Sequence, residues 1–95
     1  MSDIEATTRC FAARVAAWFE REGLENVPDR AHLRQMNMAI ALAASRWYEL
    51  AAEDDAVERM RAWLDEVRRR AVVRDARARV EAVERARAWF DACAP

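Results

Sequence analysis

Apolar side chains recur along the chain at alternating steps of three and four, the spacing that gathers them on one side of an α-helix. In the first segment Ile4, Thr8, Phe11, Val15 and Trp18 share such a face. Ser2-Asp3-Ile4-Glu5 opens it as a capping box, the Ser2 hydroxyl accepting from the Glu5 amide while the Glu5 side chain reaches back. This predicts a helix over about 3–22, with Gly23, the only glycine, in the left-handed position after its end. Leu24 to Asp29 form the connection, with Pro28 and then Asp29 (or Asn26) as the next N-cap. A second helix, over about 30–52, carries Leu33, Met36, Ile40, Ala43, Trp47 and Leu50 on one face. Met38 and Leu42 lie on the opposite side, so Met36–Ala44 is apolar nearly all round. Such a helix is expected in the middle of the fold, covered by neighbours on both sides.

Glu53-Asp54-Asp55 ends that pattern, and Asp55 followed by Glu58 reads as a further cap. From Ala56 to about Ala92 there is neither Gly nor Pro. Val57, Met60, Leu64, Val67 and Ala71 share one face of this segment, and Val73, Ala76, Val80, Val83 and Phe90 another. At about 100° per residue the second stripe is rotated by roughly 140° from the first. The segment must therefore change packing partner near Ala71–Asp75. A break there, with Asp75 as a cap, would give a fourth helix and a closed four-helix monomer. Continuity would give a helix over about 56–92, on the order of 55 Å long, whose last turns lie on a second copy. The missing turn signal favours continuity. The expected fold is all-α, within a single domain spanning residues 1–95. It comprises an antiparallel helical hairpin and a long C-terminal helix, the bundle being completed by dimerisation.

Composition agrees with this class and narrows it. The chain has 22 Ala, 16 Arg, no Lys, one Gly and two Pro, too few breakers for a sandwich, a barrel or a Gly-built phosphate loop. The Ala and Arg usage fits a GC-rich coding bias. A hydrophobic content of 54% excludes a disordered chain despite 35% charged residues. At 95 residues the core is small, so pairing with a second copy is a natural route to added stability. The longest uncharged stretch, Gln35 to Ser45, falls well short of the roughly 20 residues that span a bilayer, and no membrane association is expected. With no export signal in the sequence given, Cys10 and Cys93 are expected as free thiols of a cytoplasmic protein. They also act as a ruler. A closed four-helix bundle puts them at one end, whereas a long helix separates them within a chain.

Net charge is −1, but it is divided unevenly: residues 1–66 hold 8 Arg and 13 acids, and residues 67–90 hold 8 Arg and 3 acids. Arg68, Arg69, Arg70 and Arg74 form the densest basic run. Acid-first pairs four apart, Asp65–Arg69, Glu66–Arg70, Asp75–Arg79 and Glu81–Arg85, predict that much of this stripe is an ion-paired solvent face. Trp followed by a bulky apolar residue and an acid occurs at Trp18, Trp47, Trp63 and Trp89. In an Ala-rich bundle such aromatics fill volume that Ala cannot. Trp89 and Phe90 sit on the segment without an obvious internal partner and are the expected interface pair.

Catalytic inventory is thin. Ser2 and Ser45 are the only serines and His32 the only histidine, which excludes a nucleophilic triad. Asp29 and His32 have the i, i+3 spacing of a metal-binding pair in helical bundles, but one His per chain does not complete a site. A phosphotransfer His beside Arg34 lacks the small residue that chemistry wants. No cofactor and no metal are expected. The expected function is a non-enzymatic, homodimeric interaction module, an adaptor, regulator or inhibitor of another protein. It would bind by burying Trp89 and Phe90, with steering from Arg68, Arg69, Arg70 and Arg74. The rivals are a helical enzyme or ligand-binding bundle with a cavity at Trp47 or Trp63, and a dimer binding nucleic acid through the Arg-rich helix, which is disfavoured because no DNA-reading motif is present.

Overall fold

The computed structural model describes residues 1–21 and 30–95; the expected roles of Gly23, Asn26, Pro28 and Asp29 lie outside the described residues. Four helices follow one another: α1 Asp3–Arg21, α2 Arg30–Leu50, α3 Ala56–Val73 and α4 Arg77–Cys93. Helix α1 opens with the Glu5 amide donating to the Ser2 hydroxyl at 3.1 Å, and that hydroxyl donating to the Glu5 carboxylate at 3.3 Å. Helix α3 is opened differently from expectation. Asp55 makes no side-chain cap bond. Its carboxylate instead accepts from Arg59 Nε at 2.9 Å, a hydrogen bond that holds the carboxyl below its ordinary pKa.

The long C-terminal helix is not continuous. Helix α3 ends at Val73 with Arg74 as its C-cap, and Asp75 adopts φ 54, the left-handed region. The Asp75 amide donates to the Val72 carbonyl at 3.1 Å and the Ala76 amide to the Ala71 carbonyl at 2.9 Å. These two bonds are the pair that closes a helix end through a left-handed residue. Asp is among the few residues that tolerate this conformation, since its short polar side chain reduces the penalty that Cβ imposes. Asp75 is thus the stop of α3, not the N-cap of α4. That position belongs to Ala76, which makes no side-chain cap bond.

The break lets α4 fold back antiparallel to α3 and settle among all three other helices. Helices α2 and α4 run parallel and form the centre, α1 and α3 flank them, and the molecule measures 41 × 30 × 19 Å, two helix layers thick. Phe90 is the hub of the core. Its ring stands edge-on to Phe11, 5.6 Å between centroids at 89°, and lies 4.9 Å from Trp47. Burial of large rings in such offset contacts is the main source of stability available to an Ala-rich bundle. The two buried indoles satisfy their N–H groups across α1 and α2. Trp18 Nε1 donates to Asn37 Oδ1 at 2.8 Å, and Trp47 Nε1 to the Thr8 hydroxyl at 2.9 Å. Thr8 in turn donates to the Ile4 carbonyl at 2.8 Å.

Three further expectations are corrected by this packing. Cys10 and Cys93 are joined in a disulfide, Cα atoms 5.6 Å apart, rather than free; both lie at the end of the bundle where α1 begins and α4 ends. Helix α2 touches all three others but is not covered on both sides, leaving Met38 61% and Leu42 52% exposed. Val73 does not belong to the α4 stripe. It sits before the break and is 77% exposed, while the buried face of α4 is Ala82, Val83, Ala86 and Phe90.

Candidate partner-binding surface

The six residues expected at a partner interface are scattered by the fold. Phe90 is fully buried, so it is a core residue and no part of a surface. Its burial follows from the break at Asp75, which supplies α4 with the internal partners that a continuous helix would lack. Trp89 is half-buried, tilted against Trp18 with ring centroids 5.8 Å apart, and Arg85 lies over the Trp18 ring at 5.0 Å. Of the pair at positions 89–90, only part of Trp89 is left on the accessible surface.

The basic run fares differently residue by residue. Arg68 reaches across to α4, its Nη2 3.0 Å from the Glu84 carboxylate. Arg69 and Arg70 both hold Glu66, at 2.6 and 2.9 Å. Their hydrogen bonds, Arg69 first and Arg70 second, keep the Glu66 carboxyl at a pKa of about 2. Of the four acid-first pairs expected, Glu66–Arg70 and Glu81–Arg85 form, the latter at 3.7 Å. Asp65 instead turns to Arg87 of α4. Asp75, taken out of the helix by its left-handed backbone, meets Arg77 at 3.6 Å and not Arg79. Arg74 is exposed at the apex and makes no ion pair among the described residues, and the same holds for Arg79.

A second group between α3 and α4 escaped sequence reasoning. Arg61 donates to Asp91 at 2.9 Å, Arg87 donates to Asp91 at 3.0 Å and also to Asp65, so four charges alternate across the helix pair. Burial pushes the Asp91 carboxyl up, but the hydrogen bonds from Arg61 and Arg87 outweigh it and leave the pKa lowered. This clasp needs α3 and α4 to be antiparallel neighbours, a relation that no spacing along the chain could announce.

What remains accessible is the α3–α4 turn. Val72 and Val73, 51% and 77% exposed, stand at its apex with Arg74, Arg77 and Arg79. Beside it lies an open cleft of about 420 Å³, lined by Ala31, His32, Gln35 and residues 75–79. His32 Nε2 is 2.9 Å from Glu81 Oε2 on its rim. The interior at Trp47 is filled by Phe11 and Phe90, and the groove beside it, between α1 and α2, has a volume of only about 190 Å³. That is below the range of pockets that enclose a drug-sized ligand. No helix among the described residues is long and apolar enough to cross a membrane. The chain matches no protein-family model, no curated protein and no solved structure.

Proposed function

We propose that this chain is a non-enzymatic helical interaction module, an adaptor, regulator or inhibitor that docks an acidic, partly apolar segment of another protein on its α3–α4 turn. The observation that carries the reading is the apex itself. Two adjacent Val side chains stand in solvent at the turn that also carries Arg74 and Arg79, which make no ion pair among the described residues. Adjacent exposed apolar side chains with a polar, charged rim are the usual make-up of a recognition patch. The anchors are Val72 and Val73 in place of Trp89 and Phe90, and steering falls to Arg74 and Arg79, because Arg68, Arg69 and Arg70 are already held by Glu84 and Glu66, and Arg77 by Asp75. Short-range apolar contact would set the lifetime of the complex and the arginines its rate of formation.

The test is a nuclear magnetic resonance titration of the labelled chain with a designed helical peptide carrying Leu at steps of three and four and Glu on its flanks. Shifts confined to residues 70–79, weakening roughly tenfold between low and physiological salt and lost in Val73→Asp, support the reading. Shifts elsewhere, or none, refute it. A parallel titration with a short DNA duplex that proved tighter would assign the apex to nucleic acid instead.

A further inference from the structure

The outer face of α2 carries an uncharged, exposed stripe several turns long. Ala31, Gln35, Met38, Leu42 and Ser45 follow one another at steps of four and three, and all are exposed. That spacing, sustained on a face turned away from the core, is the seam of a helix that packs against another helix. On the α1 side the stripe runs into the 190 Å³ groove lined by Thr8, Ala12, Ala16, Ala44 and Tyr48, and an exposed Phe19 stands further along α1.

We infer that this face seats a second copy of the chain, with the two α2 helices antiparallel about a two-fold axis between Ala41 and Leu42. Four features of the face complement themselves in that register. Arg34, which has no ion-pair partner among the described residues, comes level with Glu49 of the second copy, and the reverse. Among the described residues Glu49 is held only by a local, exposed pair with Arg46. Met38 comes level with the small Ser45 of the other copy, and Leu42 with the small Ala41, so large side chains meet small ones along the seam. The fourth feature is on α1. Trp18 is bonded to Asn37 and Thr8 to Trp47, which fixes α1 antiparallel to α2 with Ala13 and Arg14 level with the axis. Phe19 of one copy then comes level with Thr8 of the other, at the groove walled by Thr8, Ala12 and Tyr48. A protruding ring and a shallow groove lie equally far from the axis on opposite sides, which is the condition for an isologous interface. The two α3–α4 turns would lie at opposite ends of such a dimer. The inference does not depend on what those turns bind.

The experiment is molar mass by light scattering and sedimentation on the full chain over roughly 1–500 µM, the range in which a patch of this size associates. The wild type is expected to approach twice its 11.0 kDa mass as concentration rises. Leu42→Arg, at an exposed position where the core is untouched, should weaken association by roughly thirtyfold or more. Arg34→Glu alone and Glu49→Arg alone should each weaken it by about tenfold, counting two contacts per dimer, and the double swap should restore it. Circular dichroism checks that each variant stays folded. A wild type that remains at 11.0 kDa throughout overturns the inference, as does a dimer indifferent to Leu42→Arg. Failure of the double swap to rescue overturns the antiparallel register.

Discussion

The Ala76 amide donates to the Ala71 carbonyl at 2.9 Å, across a left-handed Asp75. This one bond separates α3 from α4 and decides which residues become core. Because it forms, Phe90 meets Phe11 and Trp47, Arg87 meets Asp65, and Cys93 meets Cys10. If it did not, α4 would point into solvent with its apolar face uncovered.

Asp75→Gly removes the Cβ clash of a left-handed backbone at a small cost in unfolded-state entropy, so it should leave stability unchanged or raise it by up to about 1 kcal/mol. Asp75→Val, whose branched side chain is most hindered there, should lower stability by about 1–3 kcal/mol. Urea unfolding followed by circular dichroism measures both. Equal stability of the two variants would show that the turn is not left-handed.

Phe90→Ala empties the centre of the bundle and should cost about 3–5 kcal/mol, close to the whole stability of a domain this size. Val73→Ser, at an exposed apex position, should change stability by less than about 0.5 kcal/mol. The same unfolding experiment distinguishes these two roles, which the sequence pattern alone would have reversed.

Reduction of the Cys10–Cys93 bridge frees a pair of residues 83 positions apart and should lower stability by roughly 2–4 kcal/mol without altering helix content at 25 °C. Cys10→Ser should reproduce the effect and abolish any further response to reductant. Thermal melts with and without reductant provide the measurement.

Glu66 and Asp91 are both held below the ordinary carboxylate range in the folded chain. A carboxyl whose folded pKa is depressed stabilises the fold at pH above its unfolded value, and that contribution is lost as pH falls through the folded one. The melting temperature should therefore decline from about pH 4.5 towards pH 2, the value that Glu66 approaches. Glu66→Gln or Asp91→Asn should flatten the decline, and added salt should shrink it because these groups are exposed. A melting temperature independent of pH across this window in the wild type would remove both pairs from the account.

Helices α1 and α2 were legible in the chain because each carries its own period, and their described limits fall within two residues of the expected ones, whereas the helix expected over about 56–92 is two, Ala56–Val73 and Arg77–Cys93. The shift in apolar phase at Ala71–Asp75 was legible as well. Its meaning was not, since a break without Gly or Pro leaves no residue signal, and only the Ala71–Ala76 bond shows it. The Trp motifs illustrate the same point. At Trp18 and Trp47 the indole is buried and the next residue, Phe19 or Tyr48, is exposed; at Trp63 and Trp89 the following Leu64 or Phe90 is buried and the indole half-covered. Similar tripeptides thus face the core in two phases, set by where each helix sits. Phe90, expected at the surface, is core for this reason, and the exposed Val72 and Val73 were hidden by placing Val73 on the second apolar stripe.

The most direct test of a chain that closes on itself is a peptide map of air-oxidised protein, denatured and digested with trypsin without reductant. Cleavage after Arg9 and Arg87 releases short fragments carrying Cys10 and Cys93. A closed bundle predicts these fragments linked to one another and derived from protein of single-chain mass. A continuous helix from Ala56 to Cys93 would extend on the order of 55 Å and hold the two sulfurs far apart. Bridges found only between chains, or no bridge at all after oxidation, would contradict the fold described.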